Sequence, residues 1–485
     1  MISLALVVND NNGIGISCNG ASTGELSVQA LGGQLPYSYQ WLDLSGNLIS
    51  NPTSTSQVLS NINAGTYISQ VTDNLGCVVI DTVSIIDNSP ISSIQIINNV
   101  SLKNFQDDGS CNAEYQGNEL KVFGGLPSEI VNVEVLREYD NKLVCFVIKV
   151  IKAHSSRVEP QCKYFLSCTG CQLQHISYEK QLALKKEIAL KTLKGVPGFS
   201  DQLMEEVQSS PQTYNYRNHG RFTVAKSHKF RGNFGFINRW TKKLIEIEEC
   251  KIMNNKINRI LLSLKGFMSG HSQFSVRVGI NSDDYLIQPK INSDSEKFES
   301  GQQHYFELIN GVEHRISSPS FFQVNTYQAE RLGQIIKNNL NLDGSEVLID
   351  AFSGVGTFSI LLSKHVKKIY GIESSYSSIQ DAQHNSRSFN NIEFVQSEVE
   401  FLPKEMFDKV DVVILDPSRK GVDSKVIDWI LGLKPRDLVY VSCEIKSLRR
   451  DLDKLTNEYE IRKVIPVDMF PHTKHLECLV ILKAK

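Results

Sequence analysis

Apolar and polar positions divide the chain into four textures. In residues 1–92 short alternating runs such as GELSVQAL, YSYQWLD, GTYISQVTD and CVVIDTVSI are separated by turns rich in Gly, Asn and Ser. Alternation at period two turns one face of each run inward, and frequent turns between such runs predict a small β-sandwich. Residues 93–157 carry the longer runs IQIINNVSLK, AEYQGNELKVFGG, IVNVEVLREYD and KLVCFVIKVIK, the pattern of a small β-barrel. Residues 158–315 mix a Lys-rich helical stretch, YEKQLALKKEIALKTLKG, with a group of cysteines and further strands, an α+β texture. From residue 316 onward strands and helices alternate to the end, which predicts a doubly wound α/β sheet.

A chain of 485 residues exceeds what one core can serve, in keeping with a multidomain protein. Its net charge of −2 conceals an asymmetry. Residues 1–102 contain no Lys or Arg and six acids (Asp10, Glu25, Asp43, Asp73, Asp81, Asp87), leaving 51 basic against 47 acidic residues in the rest. Two kinds of protein are joined here. No apolar run is long enough to span a bilayer. The opening MISLALVVNDNNG lacks the basic start and apolar length of a secretory signal. The expectation is a cytoplasmic protein without membrane contact, and no obligate protein partner is indicated.

Three stretches carry chemistry. PQCKYFLSCTGCQLQH sets Cys162, Cys168 and Cys171 in a C-x5-C-x2-C array, and Cys250, closing LIEIEEC, is the natural fourth ligand. Clustered thiolates grip a soft metal centre, and spacing alone leaves iron–sulfur and zinc both open. Residues 217–243 hold eight Lys or Arg, Arg217 and Arg221 among them, and no acid. Phe222, Phe230, Phe234, Phe236 and Trp240 are interleaved with these cations. That mixture suits RNA, whose phosphates attract cations and whose unpaired bases stack on rings. Equally, the rings of such a sheet can form its core.

The third stretch, SEVLIDAFSGVGTFSILLSKHVKKIYGIESS, reads as strand, glycine turn, helix and second strand. Gly354 and Gly356 permit a tight turn against a ligand, and Glu373 is placed for ribose hydroxyls. Ser359 stands where a dinucleotide loop has its third glycine, which argues against NAD. Asp416 of LDPSRKG and Cys443 of VYVSC close later strands and so lie on the same sheet edge as the glycine turn. A strand-end cysteine is commonly inert core, and this placement favours a nucleophile instead. Glu477, alone between apolar residues, reads by spacing as a satisfied edge-strand carboxylate, and His472 and His475 as structural.

Resemblances sharpen this. SCNGASTGELSVQALGGQLPYSYQW and INAGTYISQVTDNLGC resemble the repeat of gliding-motility adhesins of the SprB type, which would place Cys18 and Cys77 outside the cell, able to pair. GNELKVFGGLPSEIVNVEVL looks like a TRAM domain, an OB-type barrel that binds RNA. The cysteine array, the pattern DxxxGxGTF and the closing PVDMFPHTKHLECLVIL are similar to RlmD/TrmA-like RNA uracil-C5 methyltransferases, over residues 93–485. The resemblance implies a class I, Rossmann-like, seven-stranded domain over residues 316–485, behind a TRAM domain (93–157) and an iron–sulfur and RNA-binding domain (158–315). It implies S-adenosyl-L-methionine held by Gln323, Phe352, Thr357, Glu373, Glu398 and Asp416, and a structural 4Fe–4S cluster. It further implies Cys443 as nucleophile, Glu477 as base, and Asp416 with Arg419 positioning a flipped uridine. TRAM and cluster together point to 23S rRNA rather than tRNA. One departure stands out: Glu444-Ile445 follows the cysteine where the family has Asn-Pro. An adjacent carboxylate would disfavour the thiolate unless Arg449 and Arg450 fold back to offset it, and a silent RNA-binding paralogue is the alternative.

Overall fold

The computed structural model describes residues 3–9, 24–51, 53–63, 65–85, 95–139, 142–225, 232–291 and 298–485. Near the N-terminus, β1 (Ser3–Asn9), β2 (Gly24–Leu31) and β4 (Val58–Ile62) form one antiparallel sheet. A second is formed by β3 (Ser38–Leu42), β5 (Gly65–Thr72) and β6 (Val78–Ile85). Trp41 lies fully buried among Leu26, Leu59 and Val71 from the two sheets, its indole N–H satisfied by Ser56 O at 2.9 Å. Cys77 is an exposed free thiol, and Cys18 lies outside the described residues.

The next sheet comprises β7 (Gln95–Ser101), β8 (Ser110–Tyr115), β9 (Asn118–Phe123), β10 (Ile130–Tyr139) and β11 (Lys142–Lys152), in the order β7-β10-β11-β9-β8. Its edge strands β7 and β8 approach each other, so the sheet curls around Leu120, Val122, Val131 and Val133. A fully buried Glu129 is held by Arg157, with Nε 2.6 Å from Oε1.

Helix α1 (Tyr178–Leu193) follows. Then β12 (His219–Val224), β13 (Phe234–Ile237), β14 (Leu244–Glu246), β15 (Gln273–Val278) and β16 (Tyr285–Gln288) build a second five-stranded sheet. Helix α2 (Asn255–Leu264) covers one face with Ile257, Leu261 and Leu264. This sheet corrects the stacking reading of the basic stretch. Phe222 and Phe234 are core residues, ring against ring with Phe274, because β12 alternates and its apolar side faces α2. Trp240 packs on Phe123 of the curled sheet. Phe236 is half-buried, and Phe230 lies outside the described residues.

After the hairpin β17 (His304–Ile309) and β18 (Val312–Ser317) comes α3 (Thr326–Asn339). The final sheet holds β19 (Val347–Ala351), β20 (Lys368–Glu373), β21 (Ile392–Gln396), β22 (Val412–Leu415), β23 (Asp437–Ser442), β24 (Tyr459–Val467) and β25 (Glu477–Ala484). Their order is β21-β20-β19-β22-β23-β25-β24, with β25 antiparallel to both its neighbours. Helices α4 (Thr357–Leu362), α5 (Tyr376–Asn385), α6 (Ser424–Leu433) and α7 (Ile445–Leu455) complete the layers. Period two explains why both faces are apolar: Leu438 and Tyr440 enter one core, Val439 and Val441 the other.

The Lys-rich helix α1, read with residues 158–315 in the sequence, packs instead on this last sheet. Ala189 and Leu193 share a core with Leu448 and Leu452 of α7. Behind α1 the chain runs along β24, with Glu205 N–H donating to Val464 O and Gln208 N–H to Pro466 O, and so covers an open sheet edge. Among the described residues no helix is long and apolar enough to cross a membrane.

Candidate active site

The carboxyl ends of β19, β20, β22 and β23 open into a cavity of about 990 Å³. The turn after β19 forms its floor. Phe352 adopts φ 71°, and Gly354 (φ 54°) and Gly356 (φ 86°) follow before α4 begins. A Cβ on Gly356 would stand 2.7 Å from Phe394 Cζ, so this position requires glycine twice over. Glu373 ties the turn to β20: its Oε2 accepts Gly354 N–H at 3.1 Å and its Oε1 Ser375 N–H at 2.7 Å. Gln323, Phe352, Gly354, Thr357, Glu373 and Asp416 all line the cavity. Gly356 shapes the turn without lining it. Glu398 is placed elsewhere: Val399 turns into the core at the start of a short 3-10 turn, leaving Glu398 exposed and outside the cavity.

Asp350, at the heart of β19, escaped the sequence reading of individual site residues. Its Oδ2 accepts both the backbone N–H (3.0 Å) and the hydroxyl (2.6 Å) of Ser359. The serine in place of the third glycine therefore has a partner of its own. Asp350 Oδ1 is buried without one, and burial pushes this carboxyl up to about 6. Burial, then the charge of Asp350, pushes Asp416 up to about 7, against the Gln323 Nε2 hydrogen bond to its Oδ2 at 3.0 Å.

Glu477 begins β25, a central strand rather than an edge, and is nearly inaccessible. Burial and the facing Asp416 raise its carboxyl well above the usual range, with Arg419 opposing. Cys443 is half-buried and open to the same cavity, where β23 gives way to α7. Its thiol is pushed up to about 12, by burial first and then by Glu477 and Asp416, while Arg419 pulls it down. These acids, and not the adjacent Glu444, are what the thiol faces. Arg449 and Arg450 do not fold back toward it either. Arg449 donates to Thr192 O of α1, and Arg450 to Lys420 O, Val422 O and Asp451.

Cys162, Cys168, Cys171 and Cys250 line another wall of this cavity. Tight turns bring the first three round, with Phe165 N–H donating to Cys162 O and Cys168 N–H to Tyr164 O. Asn258 of α2 brackets Cys250, accepting its N–H at 2.9 Å and donating to its C=O at 3.2 Å. Burial and the neighbouring thiols push Cys168 and Cys171 upward, and Cys250 to about 11. As they stand, no three His, Cys, Asp or Glu side chains among the described residues are arranged to hold a metal ion. The donor set itself, four soft sulfurs on one wall, fits the chemistry of a soft metal centre.

Arg217 and Arg221 line the rim, and with Arg277 they hold His219 down to about 3 once burial has acted on it. Phe321, beside Gln323, lines the cavity yet is 66% exposed, a ring presented to solvent that the sequence reading passed over. His475 also lines the cavity, whereas His472 is buried behind it against Tyr214.

A glycine turn at the switch point of a doubly wound sheet, with acids at the following strand ends, is the architecture of a nucleotide-type cofactor enzyme. Residues 309–485 match the family model described as tRNA (Uracil-5-)-methyltransferase, and residues 16–46 match an SprB repeat. A Clostridium tetani protein described as an uncharacterized RNA methyltransferase is 30% identical over 418 residues, covering 74% of this chain and 90% of that one. A similarly described protein of Halalkalibacterium halodurans is 28% identical over 456 residues, covering 82% and 99%. The fold is similar to that of the Pyrococcus abyssi tRNA (uracil-54, C5)-methyltransferase in complex with S-adenosyl-L-homocysteine, with TM-score 0.63, 24% identity and coverage of 79% and 99%. The chain belongs to the tRNA (uracil-5-)-methyltransferase family of RNA methyltransferases. It is an RNA methyltransferase.

Proposed function

We propose that the protein methylates C5 of a uridine in RNA, 23S rRNA in particular, through a covalent bond between Cys443 and C6 of the base. The observation that carries this reading is the opening of Cys443, Asp416 and Glu477 into the one cavity that the glycine turn also lines. C5 of uracil is too weak a nucleophile to take a methyl group unaided. Addition of the Cys443 thiolate to C6 makes C5 electron-rich. Once the electron pair at C5 has formed a C5–methyl bond, Glu477 takes the C5 proton, the C–H electron pair restores the C5–C6 double bond, and the Cys443 sulfur leaves with the C6–S pair. Arg419 supports the thiolate against the two acids. Gln323, Phe352, Gly354, Thr357, Glu373 and Asp416 would hold S-adenosylmethionine, which when bound supplies the electrophilic methyl group.

The remaining units fit this role. Residues 93–157 are proposed as a TRAM domain, 158–315 as the iron–sulfur and RNA-binding domain, and 316–485 as the methyltransferase domain, with α1 packed on the last. Cys162, Cys168, Cys171 and Cys250 would hold a 4Fe–4S cluster that braces the fold. Arg217 and Arg221 on the rim suit an RNA backbone. The curled sheet together with the cysteine array favours 23S rRNA over tRNA, and with it a cytoplasmic place of work. Residues 1–92 are proposed as a separate SprB-like unit, and among the described residues its core shares no residue with the others.

The silent RNA-binding alternative is favoured by one observation, a thiol raised to about 12. Incubation with 5-fluorouridine RNA and S-adenosylmethionine separates the two. Fluorine at C5 cannot leave as a proton, so the enzyme becomes trapped on RNA as an adduct that survives denaturing electrophoresis and that Cys443→Ala abolishes. RNA binding without any adduct would establish the silent reading.

A further inference from the structure

Residues 468–476 connect β24 to β25 without helix or strand, yet Asp468, Met469, Pro471, His472 and Thr473 are buried. Irregular backbone belongs at the surface, because its polar groups need partners. From Asp468 to His472 each carbonyl is met by a different group. Asp468 O accepts Gln328 Nε2 (2.9 Å), Met469 O accepts Asn325 Nδ2 (3.1 Å) and Phe470 O accepts Lys185 Nζ (3.1 Å). Pro471 O accepts the Tyr216 hydroxyl at 3.1 Å. His472 O accepts two backbone N–H groups, Gln172 at 3.1 Å and Leu173 at 2.9 Å. Four regions of the chain thus grip one short segment.

Two of the grips lie closest in sequence to Glu477. Gln181 Oε1 accepts His472 N–H at 3.0 Å, while Gln181 Nε2 lies 3.1 Å from His472 Nδ1 and donates to Ile176 O at 2.8 Å. His472 sits at φ 66°, a conformation a non-glycine residue keeps only when its surroundings impose it. The Gln172 amide spans a gap: Oε1 accepts Lys474 N–H at 3.2 Å, and Nε2 donates to Thr169 O at 2.8 Å. It thereby joins the loop of the cysteine array to the chain that enters β25. Both side chains are neutral, and neither lines the cavity with Cys443.

We propose that Gln172 and Gln181 are positioning residues for the removal of the C5 proton, acting through the backbone of residues 472–474 on the placement of Glu477. The proposal rests on the reading of Glu477 as the base. Proton transfer demands hydrogen-bond reach, and small displacements of a base are costly, whereas addition of Cys443 draws on β23 and α7, which these glutamines do not touch. The two steps should therefore separate.

The experiment uses the full-length enzyme and uridine RNA tritiated at C5, under single turnover. Adduct formation is read on denaturing gels and proton removal as tritium released to water. In Gln172→Met and Gln181→Met, adduct formation is expected at the wild-type rate, with tritium release slowed about tenfold or more and adduct accumulating. Gln172→Glu, which keeps the acceptor for Lys474 N–H, restores release. Both steps slowed alike, neither slowed, or no rescue by Gln172→Glu would overturn the proposal. Gln172 is only half-buried, so its variants decide the matter even if Gln181→Met fails to fold. Glu477→Gln is run alongside. If it accumulates no adduct, the reading of the base has failed; if it does and the glutamine variants do not, only the positioning has failed.

Discussion

Lys185 and Asp468, 283 residues apart in the chain, meet as a buried ion pair with Nζ 2.6 Å from Oδ1. The other carboxylate oxygen accepts the Tyr178 hydroxyl at 2.9 Å, so the acid is satisfied on both sides. The pair fastens α1 to the connection that leads into Glu477. Lys185→Met leaves Asp468 buried without its cation, which costs about 3–5 kcal/mol. Urea unfolding checks this, and adding Asp468→Leu should recover much of the loss, because two apolar groups replace a broken pair.

Cys443 should react as a thiol held up by its surroundings. Its pKa, pushed to about 12 by burial, Glu477 and Asp416, lies above the working range, so its thiolate fraction grows as pH rises toward that value. Alkylation of Cys443 by iodoacetamide, followed by peptide mass spectrometry, is expected to accelerate about tenfold per pH unit from pH 7 to 9. A plateau below pH 9 would contradict the electrostatics of the cavity.

Gly356→Ala and Gly354→Ala separate conformation from space. Both positions have positive φ, yet only at Gly356 would the new carbon meet a ring, Phe394 Cζ at 2.7 Å. Gly356→Ala is expected to lose about 1–3 kcal/mol and most S-adenosylhomocysteine affinity, with Gly354→Ala the milder of the two. Thermal melting and calorimetric titration read the two effects.

The cysteine wall makes a compositional prediction. Protein isolated without oxygen should carry iron and inorganic sulfide, and Cys250→Ser should lower both. Zinc in place of iron, measured by elemental analysis, would replace the cluster by a mononuclear site.

Much of the site was legible in the residues. Continuous apolar runs ending in Asp416 and Cys443 mark buried parallel strands, and parallel strands put their ends on one edge, where the glycine turn also lies. The cavity gathers all three. Other features answered to packing alone. Phe222 and Phe234 sit among cations in the sequence but face α2 in the fold, since a strand sends successive side chains to opposite sides. Glu398 is turned outward by its neighbour Val399, and Arg449 and Arg450 spend their donors on distant carbonyls.

Local pattern, then, determined the strands, the glycine turn, the cysteine spacing and the edge that would carry chemistry, because these depend on periodicity and steric rules acting over a few residues. Only the tertiary structure decided that α1 braces the last sheet, that Asp416 and Glu477 share a buried pocket with Cys443, and that residues 468–472 are gripped carbonyl by carbonyl. Charge and hydrogen-bond partners act through space, and residues far apart in the chain become neighbours only once the layers have closed.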